Sequence, residues 1–372
     1  MLVGVPKEIK NREYRVGLTP DSVREFVAHG HQVLVEHDAG QGVGYSAEDY
    51  RRAGATIADE ASRIYREAEL MVEIKEPRAR SGASCARTRS CSPTSTCAGS
   101  RPDPRPGGQR RGVHRLRDRD RRGHGGLPLL APMSQVAGRM SIQAGAHCME
   151  KAAGGAGILP GGVPGVPPAR VTVIGGGVVG ENAIAMGIGL GADVIALDRD
   201  VNVLRRLATQ FGPALTTVYS SRQAVEDQVL AADLVIGAVL IAGAETPKLV
   251  TREMVSRMRP GSVLVDVAID QGGCFETSHP TTHDAPTFTV DGVVHYCVAN
   301  MPGRGAATST LALNNVTLPY ALALADQGFP QALANDPHLL DGLNVCRRHV
   351  TYKAVADELG YPYVPPREAL KG

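Results

Sequence analysis

Gly175, Gly177 and Gly180 stand at G-x-G-x-x-G spacing, where each position favours a residue without a Cβ. The first permits a tight turn out of a strand. The second lets a pyrophosphate approach the backbone, and the third lets the next helix pack close to the strand. Asp198 lies 18 residues past Gly180, where a carboxylate can bind both ribose hydroxyls and repel a 2′-phosphate. The chemistry indicated is dinucleotide binding, with NAD preferred over NADP. Two further polar residues, Asp270 and Asn300, follow apolar runs. Arg15 lies in the loop Arg12-Glu-Tyr-Arg-Val16, and Lys75 ends the run Leu70-Met-Val-Glu-Ile-Lys75. A guanidinium can grip a carboxylate at two points, and an ammonium can polarise a carbonyl oxygen. Both positions also suit solvated surface cations, and the residue types alone do not separate the two readings.

The elements that must hold these groups follow from local pattern. Val171, Val173 and Ile174 form a β-branched run of the kind found in buried parallel strands. A helix is expected from about Val179 to Leu190, stopped at Gly191, with its N-terminal N–H groups toward the phosphates. Val194–Leu197 is the next strand. Asp233–Leu240, Ser262–Ile269 and Val293–Val298 are read as further strands of a parallel sheet, with a helix from about Ser221 and another over Pro247–Arg259. Gly175, Asp198, Asp270 and Asn300 all follow strand ends, so they gather at the carboxyl edge, where α/β sheets hold ligands.

Residues 1–77 read as one α/β unit. Thr19-Pro20-Asp21 supplies an N-cap, an N1 proline and a first-turn acid. From about Thr308 the chain turns helical, with Pro319 as a kink and no strand beyond. The expected fold class is α/β with two domains: a doubly wound nucleotide-binding domain over 129–305, and a discontinuous α/β domain from 1–128 with 306–372.

The chain of 372 residues has no run of 18 apolar residues, and the expectation is a soluble protein without a membrane partner. No signal peptide is visible before Leu2–Val5, and the seven Cys form no C-x-x-C pair. Both point to free thiols in a reducing cytoplasm. No cluster has metal-ligand spacing, so no metal is expected.

Residues 78–125 differ from the rest. Between 78 and 122 stand 13 Arg and 3 Asp, with no Lys or Glu, in a chain whose net charge is only +2. Val113 and Leu116 are the large apolar residues there, and neither strand nor helix periodicity appears. Three explanations fit: a basic arm for nucleic acid, a low-complexity insertion, or out-of-frame reading of a GC-rich gene. A nucleic-acid role rests on this segment alone and is not expected.

Several stretches together resemble the alanine dehydrogenase and pyridine nucleotide transhydrogenase family. They are Val5-Pro-Lys-Glu-Ile9 with Glu13-Tyr-Arg-Val16, Ile74-Lys-Glu-Pro77, Pro128–Ser134, Gly161–Val166, the glycine loop, Ala268-Ile-Asp-Gln-Gly-Gly-Cys274 and Val298-Ala-Asn-Met-Pro302. They span the chain except 78–125. The resemblance implies reversible oxidative deamination of L-alanine to pyruvate and ammonia with NAD, by a homohexamer. It implies that Arg15 binds the substrate carboxylate, that Lys75 acts at its carbonyl or amino end, and that Asp270 is a catalytic acid near the reacting carbon. It implies cofactor contacts from Ser134, Val178, Val179, Asp198, Ser220, Val239 and Leu240. Val267, Ala268, Ile269 and Asp270 would add to these, as would Val298, Ala299, Asn300 and Met301.

One departure stands out. The family carries a catalytic histidine at the position of Thr96, and no histidine lies between His37 and His114. A frame slip near 78 and a compensating one near 126 explain the loss, since register returns at Leu127. If the segment is real, NAD binding with impaired or no turnover is the alternative, as is the NAD-binding component of a transhydrogenase. Peptide mass mapping across 78–126 decides: recovery of the Arg-rich peptides as written would sink the frame-slip reading.

Overall fold

The computed structural model describes residues 1–75, 90–93, 112–114, 129–239 and 246–371. It divides into two compact units, 1–132 with 306–372, and 133–305. Thr96, Leu240 and most of 78–125 lie outside the described residues.

In the first unit, β1 (Leu2–Val5), β2 (Gln32–Glu36), β3 (Thr56–Ala58) and β4 (Leu70–Glu73) pair in parallel, in the order β4-β1-β2-β3. Val3, Val5, Val35, Met71 and Val72 are buried, as befits strands covered on both faces. The helix Pro20–Ala28 begins where its signals place it: the Thr19 hydroxyl accepts the N–H of Ser22 at 3.2 Å. β5 (Ser90–Pro93) and β6 (Gly112–His114) extend the sheet beyond β4.

The second unit opens within the helix Ala131–Cys148. Its strands are β7 (Arg170–Ile174), β8 (Asp193–Asp198), β9 (Leu215–Tyr219), β10 (Leu234–Gly237), β11 (Val263–Asp266), β12 (Thr287–Val290) and β13 (Val293–Tyr296). Their order is β12-β13-β11-β10-β7-β8-β9. β7 pairs with β8 on one side and β10 on the other, which makes its carboxyl end the topological switch point.

Three expectations need correction here. β12 runs antiparallel to β13 through a turn with φ of 50° at Asp291 and 80° at Gly292, an Asp-Gly hairpin on an otherwise parallel sheet. β11 stops at Asp266 rather than Ile269, because the Asp266 side chain accepts the N–H of Ala268 and starts a 3-10 turn over Val267–Gln271. The helix expected over Pro247–Arg259 is confined to Arg252–Arg257, opened by the Thr251 cap.

The chain then returns to the first unit. The helix Ala306–Gln327 runs on through Pro319. The C-terminal part is not strandless. β14 (Leu343–Cys346) pairs antiparallel with β6 and with β15 (His349–Val350). Their turn uses Arg347 and Arg348 at φ of 48° and 74°, residue types that give no glycine or asparagine signal for that conformation.

Candidate active site

The glycine loop sits at the switch point of the second unit, and the three glycines differ in what surrounds them. Gly175 has φ of 102°, and a Cβ there would lie 2.7 Å from the Ala238 carbonyl oxygen. At Gly180 a Cβ would lie 1.8 Å from the Gly175 oxygen, so the helix packs directly on the turn. Around Gly177 nothing lies within 4 Å of a Cβ position. Gly177 is also the N-cap of the helix Val178–Gly189, and no side chain caps its first N–H groups. An open backbone cradle facing unsatisfied N–H donors at a helix N-terminus fits a phosphate group.

Around this loop, Asp198 ends β8 with Oδ2 accepting the N–H of Gly176 at 2.7 Å and Oδ1 accepting that of Asp200 at 2.8 Å. The carboxylate is thus tied to the loop itself. Ser220 is buried beyond β9, and its N–H donates to the Asp198 carbonyl at 2.9 Å. Val178 is exposed, while Val179 and Val239 are half-buried. Ser134 is half-buried one turn before Gly138, where a Cβ would lie 2.2 Å from the Val179 oxygen. The Ser134 helix therefore lies close against the start of the loop helix.

Further along the same sheet, Val267, Ala268 and Ile269 form the 3-10 turn after β11, with Asp270 exposed at its crest. Val298 and Met301 are buried, Ala299 and Asn300 half-buried, in the turn after β13. Asn300 has φ of 65°, a left-handed conformation that asparagine tolerates better than most residues. Asp266, which the sequence reading passed over, anchors the Asp270 turn. Burial raises its pKa, while hydrogen bonds from Ser278, Cys274 and Phe275 pull the other way.

In the first unit, Arg15 is not a solvated cation: it is 3% exposed. Its Nε and Nη2 donate to the two carboxylate oxygens of Glu13, at 2.7 and 2.6 Å. Lys75 is half-buried just past the carboxyl end of β4. Glu8, on the loop after β1, accepts the N–H groups of Ile74 at 2.6 Å and Lys75 at 3.2 Å through one oxygen, Oε1. Burial pushes the Glu8 carboxyl up to about 7, with Glu13 adding to the rise and Arg15 opposing it. Glu8 therefore holds the backbone at the end of β4 and feels the charges of Glu13 and Arg15. The sequence reading missed Glu8 and Glu13 as site residues, although both lie inside the Val5–Ile9 and Glu13–Val16 stretches it singled out.

Among the described residues, no group of three or more His, Cys, Asp or Glu is arranged to hold a metal ion. None of their helices is long and apolar enough to cross a membrane. Cys148, Cys274, Cys297 and Cys346 are buried free thiols.

The doubly wound sheet, the switch-point glycine loop and the acid ending the second strand define a dinucleotide-binding α/β protein. Two family models match the chain: Alanine dehydrogenase/PNT, N-terminal domain, over residues 4–102, and Alanine dehydrogenase/PNT, C-terminal domain, over 141–353. The chain belongs to this family. It is 53% identical to an alanine dehydrogenase from Halomonas elongata over 98% of each chain. It is 50% identical to one from Bacillus subtilis, over 100% of this chain and 98% of that one. A solved L-alanine dehydrogenase superposes with a TM-score of 0.90 at 43% identity, covering 97% of this chain and 99% of the other. A transhydrogenase from Sinorhizobium meliloti, 24% identical with a TM-score of 0.76 over 95% of this chain and all of its own, shares the fold.

Proposed function

We propose that this protein is an NAD-dependent alanine dehydrogenase, catalysing reversible oxidative deamination of L-alanine to pyruvate and ammonia. The observation that carries the reading is end-to-end likeness to alanine dehydrogenases, in a chain with open backbone at Gly177 and a carboxylate, Asp198, tied to the same loop.

Bound NAD would supply the acceptor for a hydride from the substrate Cα. The Gly177 cradle and the N–H groups of the following helix would hold its pyrophosphate, and Asp198 would accept hydrogen bonds from the ribose hydroxyls. Arg15 would bind the substrate carboxylate. Glu13, by occupying its Nε and Nη2, fixes the direction in which the rest of the guanidinium is presented. Lys75 would act on the carbonyl or amino end, on a backbone steadied by Glu8. Asp270 would exchange protons with water and the substrate nitrogen as the imine is hydrolysed. Orientation of a small, doubly held acid contributes to the rate before any proton moves. The expected partners are these small molecules and other copies of the chain in a homohexamer, with no nucleic acid or membrane. A cytoplasmic location is proposed with them.

L-alanine-dependent appearance of NADH absorbance, saturating in both substrates, tests the reading. Thr96 motivates the second one: saturable NADH binding without alanine turnover would replace the enzyme with a non-catalytic NAD-binding protein.

A further inference from the structure

We propose that Asp266 is a positioning residue, whose carboxylate fixes the turn that carries Asp270. The inference rests on the reading of Asp270 as an acid at the reacting carbon.

Asp266 is the last residue of β11 and is 0% exposed. Its Oδ1 accepts the N–H of Ala268 at 3.1 Å and faces the Cys274 thiol at 3.6 Å. Its Oδ2 accepts the N–H of Cys274 at 3.0 Å, the N–H of Phe275 at 3.4 Å and the Ser278 hydroxyl at 2.6 Å. These donors lie on both sides of Asp270 in the chain. A single carboxylate thus joins the entry of the turn to its exit. The approach is close: a Cβ at Gly273, where φ is 74°, would lie 2.6 Å from Oδ2. At the same turn, the Lys248 ammonium donates to the carbonyl oxygens of Gly272 and Gly273. Backbone N–H groups are taken by a carboxylate and backbone carbonyls by an ammonium, and the exposed crest bearing Asp270 stands between the held ends.

Packing alone does not call for an acid here. Asparagine has the same shape, but it offers one acceptor oxygen and places an NH₂ where backbone N–H groups already point. A buried N–H that loses its acceptor carries the full cost of desolvation, so the turn would shift to recover partners. Asp266 touches no substrate in this account. It acts through Asp270.

The test uses the full chain and three variants. Asp266→Asn breaks the network, Ser278→Ala removes one donor with little change in volume, and Asp270→Asn is the reference. Hydrogen–deuterium exchange read by mass spectrometry is followed over 266–278 and over β7 and β10, with kcat and KM for L-alanine alongside. In Asp266→Asn, exchange over 268–275 is expected to rise about tenfold with β7 and β10 unchanged. Its kcat is expected to fall roughly 10- to 100-fold while KM changes less than about threefold. Ser278→Ala is expected to move both readouts in the same direction by less. Parental exchange over 268–275 in Asp266→Asn overturns the proposal, and so does faster exchange with parental kcat. If Asp266→Asn does not fold, Ser278→Ala decides by the same two readouts. Parental turnover in Asp270→Asn removes the underlying assignment, and with it the functional role of Asp266, while exchange in Asp266→Asn still reports whether the turn was held.

Discussion

Arg15 and Glu13 meet side by side inside the first unit, Nε to Oε1 at 2.7 Å and Nη2 to Oε2 at 2.6 Å, with side chains 3% and 0% exposed. In so dry a pair, neutralising one side removes the charge that offsets the desolvation of the other. Glu13→Gln is therefore expected to lower stability by about 3 kcal/mol. It is also expected to raise KM for L-alanine more than it lowers kcat, because the guanidinium loses its fixed direction. Calorimetric unfolding with steady-state kinetics checks both. A variant as stable as the parent would show that the pair contributes nothing net.

Glu8 gives a pH dependence whose sign can be worked out. Its carboxyl is pushed by burial from 4.5 to about 7, so the folded protein holds a proton there that the unfolded chain releases. Stability from this group is fully present below pH 4.5 and is lost as pH rises through about 7. Between pH 5 and 8 the parent should lose on the order of 2 kcal/mol that Glu8→Gln does not lose. Urea unfolding of both proteins across that range measures the difference. Parallel slopes would exclude Glu8 as the source.

Gly177→Ala and Gly180→Ala should both weaken NADH binding but differ in stability. A Cβ at Gly180 meets backbone at 1.8 Å, and backbone cannot rotate aside. Gly180→Ala is expected to cost about 1–3 kcal/mol in stability and to weaken NADH binding with it. Gly177 has open space and an ordinary negative φ, so Gly177→Ala should unfold at the parental temperature. Its methyl would nonetheless stand in the phosphate cradle and weaken NADH binding by roughly tenfold or more. Thermal unfolding paired with NADH fluorescence titration separates the cases. Unchanged NADH affinity in Gly177→Ala would mean the pyrophosphate lies elsewhere.

Asp198 accepts from Gly176 and Asp200, so its removal disturbs the loop as well as the proposed ribose contact. Asp198→Asn keeps the size and one acceptor. It is expected to raise KM for NAD roughly tenfold and to narrow the preference over NADP, because the charge that repels a 2′-phosphate is gone. Kinetics with both cofactors provide the measurement. A preference for NAD left at the parental ratio would assign selectivity to another group.

The legible parts of the site are those written within a few residues of one another. The strand Arg170–Ile174, the glycines after it and the acid at the end of β8 form one continuous signal. The Thr19 cap is of the same kind. Less legible were features made by contact across the chain. The Asp-Gly turn before β13 carried a readable hairpin signal, yet β12 on its far side was not read as a strand, although β13 itself runs parallel to β11 as expected. The β14–β15 turn gave no signal, because two arginines occupy conformations usually taken by glycine or asparagine.

By itself, then, the order of residues determined the doubly wound unit and the glycine loop after its first strand, and it named Arg15, Lys75, Asp198 and Asp270 as candidates. Short-range sterics and hydrophobic spacing are properties of neighbouring residues. Tertiary structure alone decided that Arg15 is buried on Glu13, that Glu8 holds the backbone of Ile74 and Lys75, and that Asp266 gathers donors from Ala268 to Ser278. Those roles depend on which buried N–H groups need an acceptor, and that need arises once the chain has closed around them and excluded water.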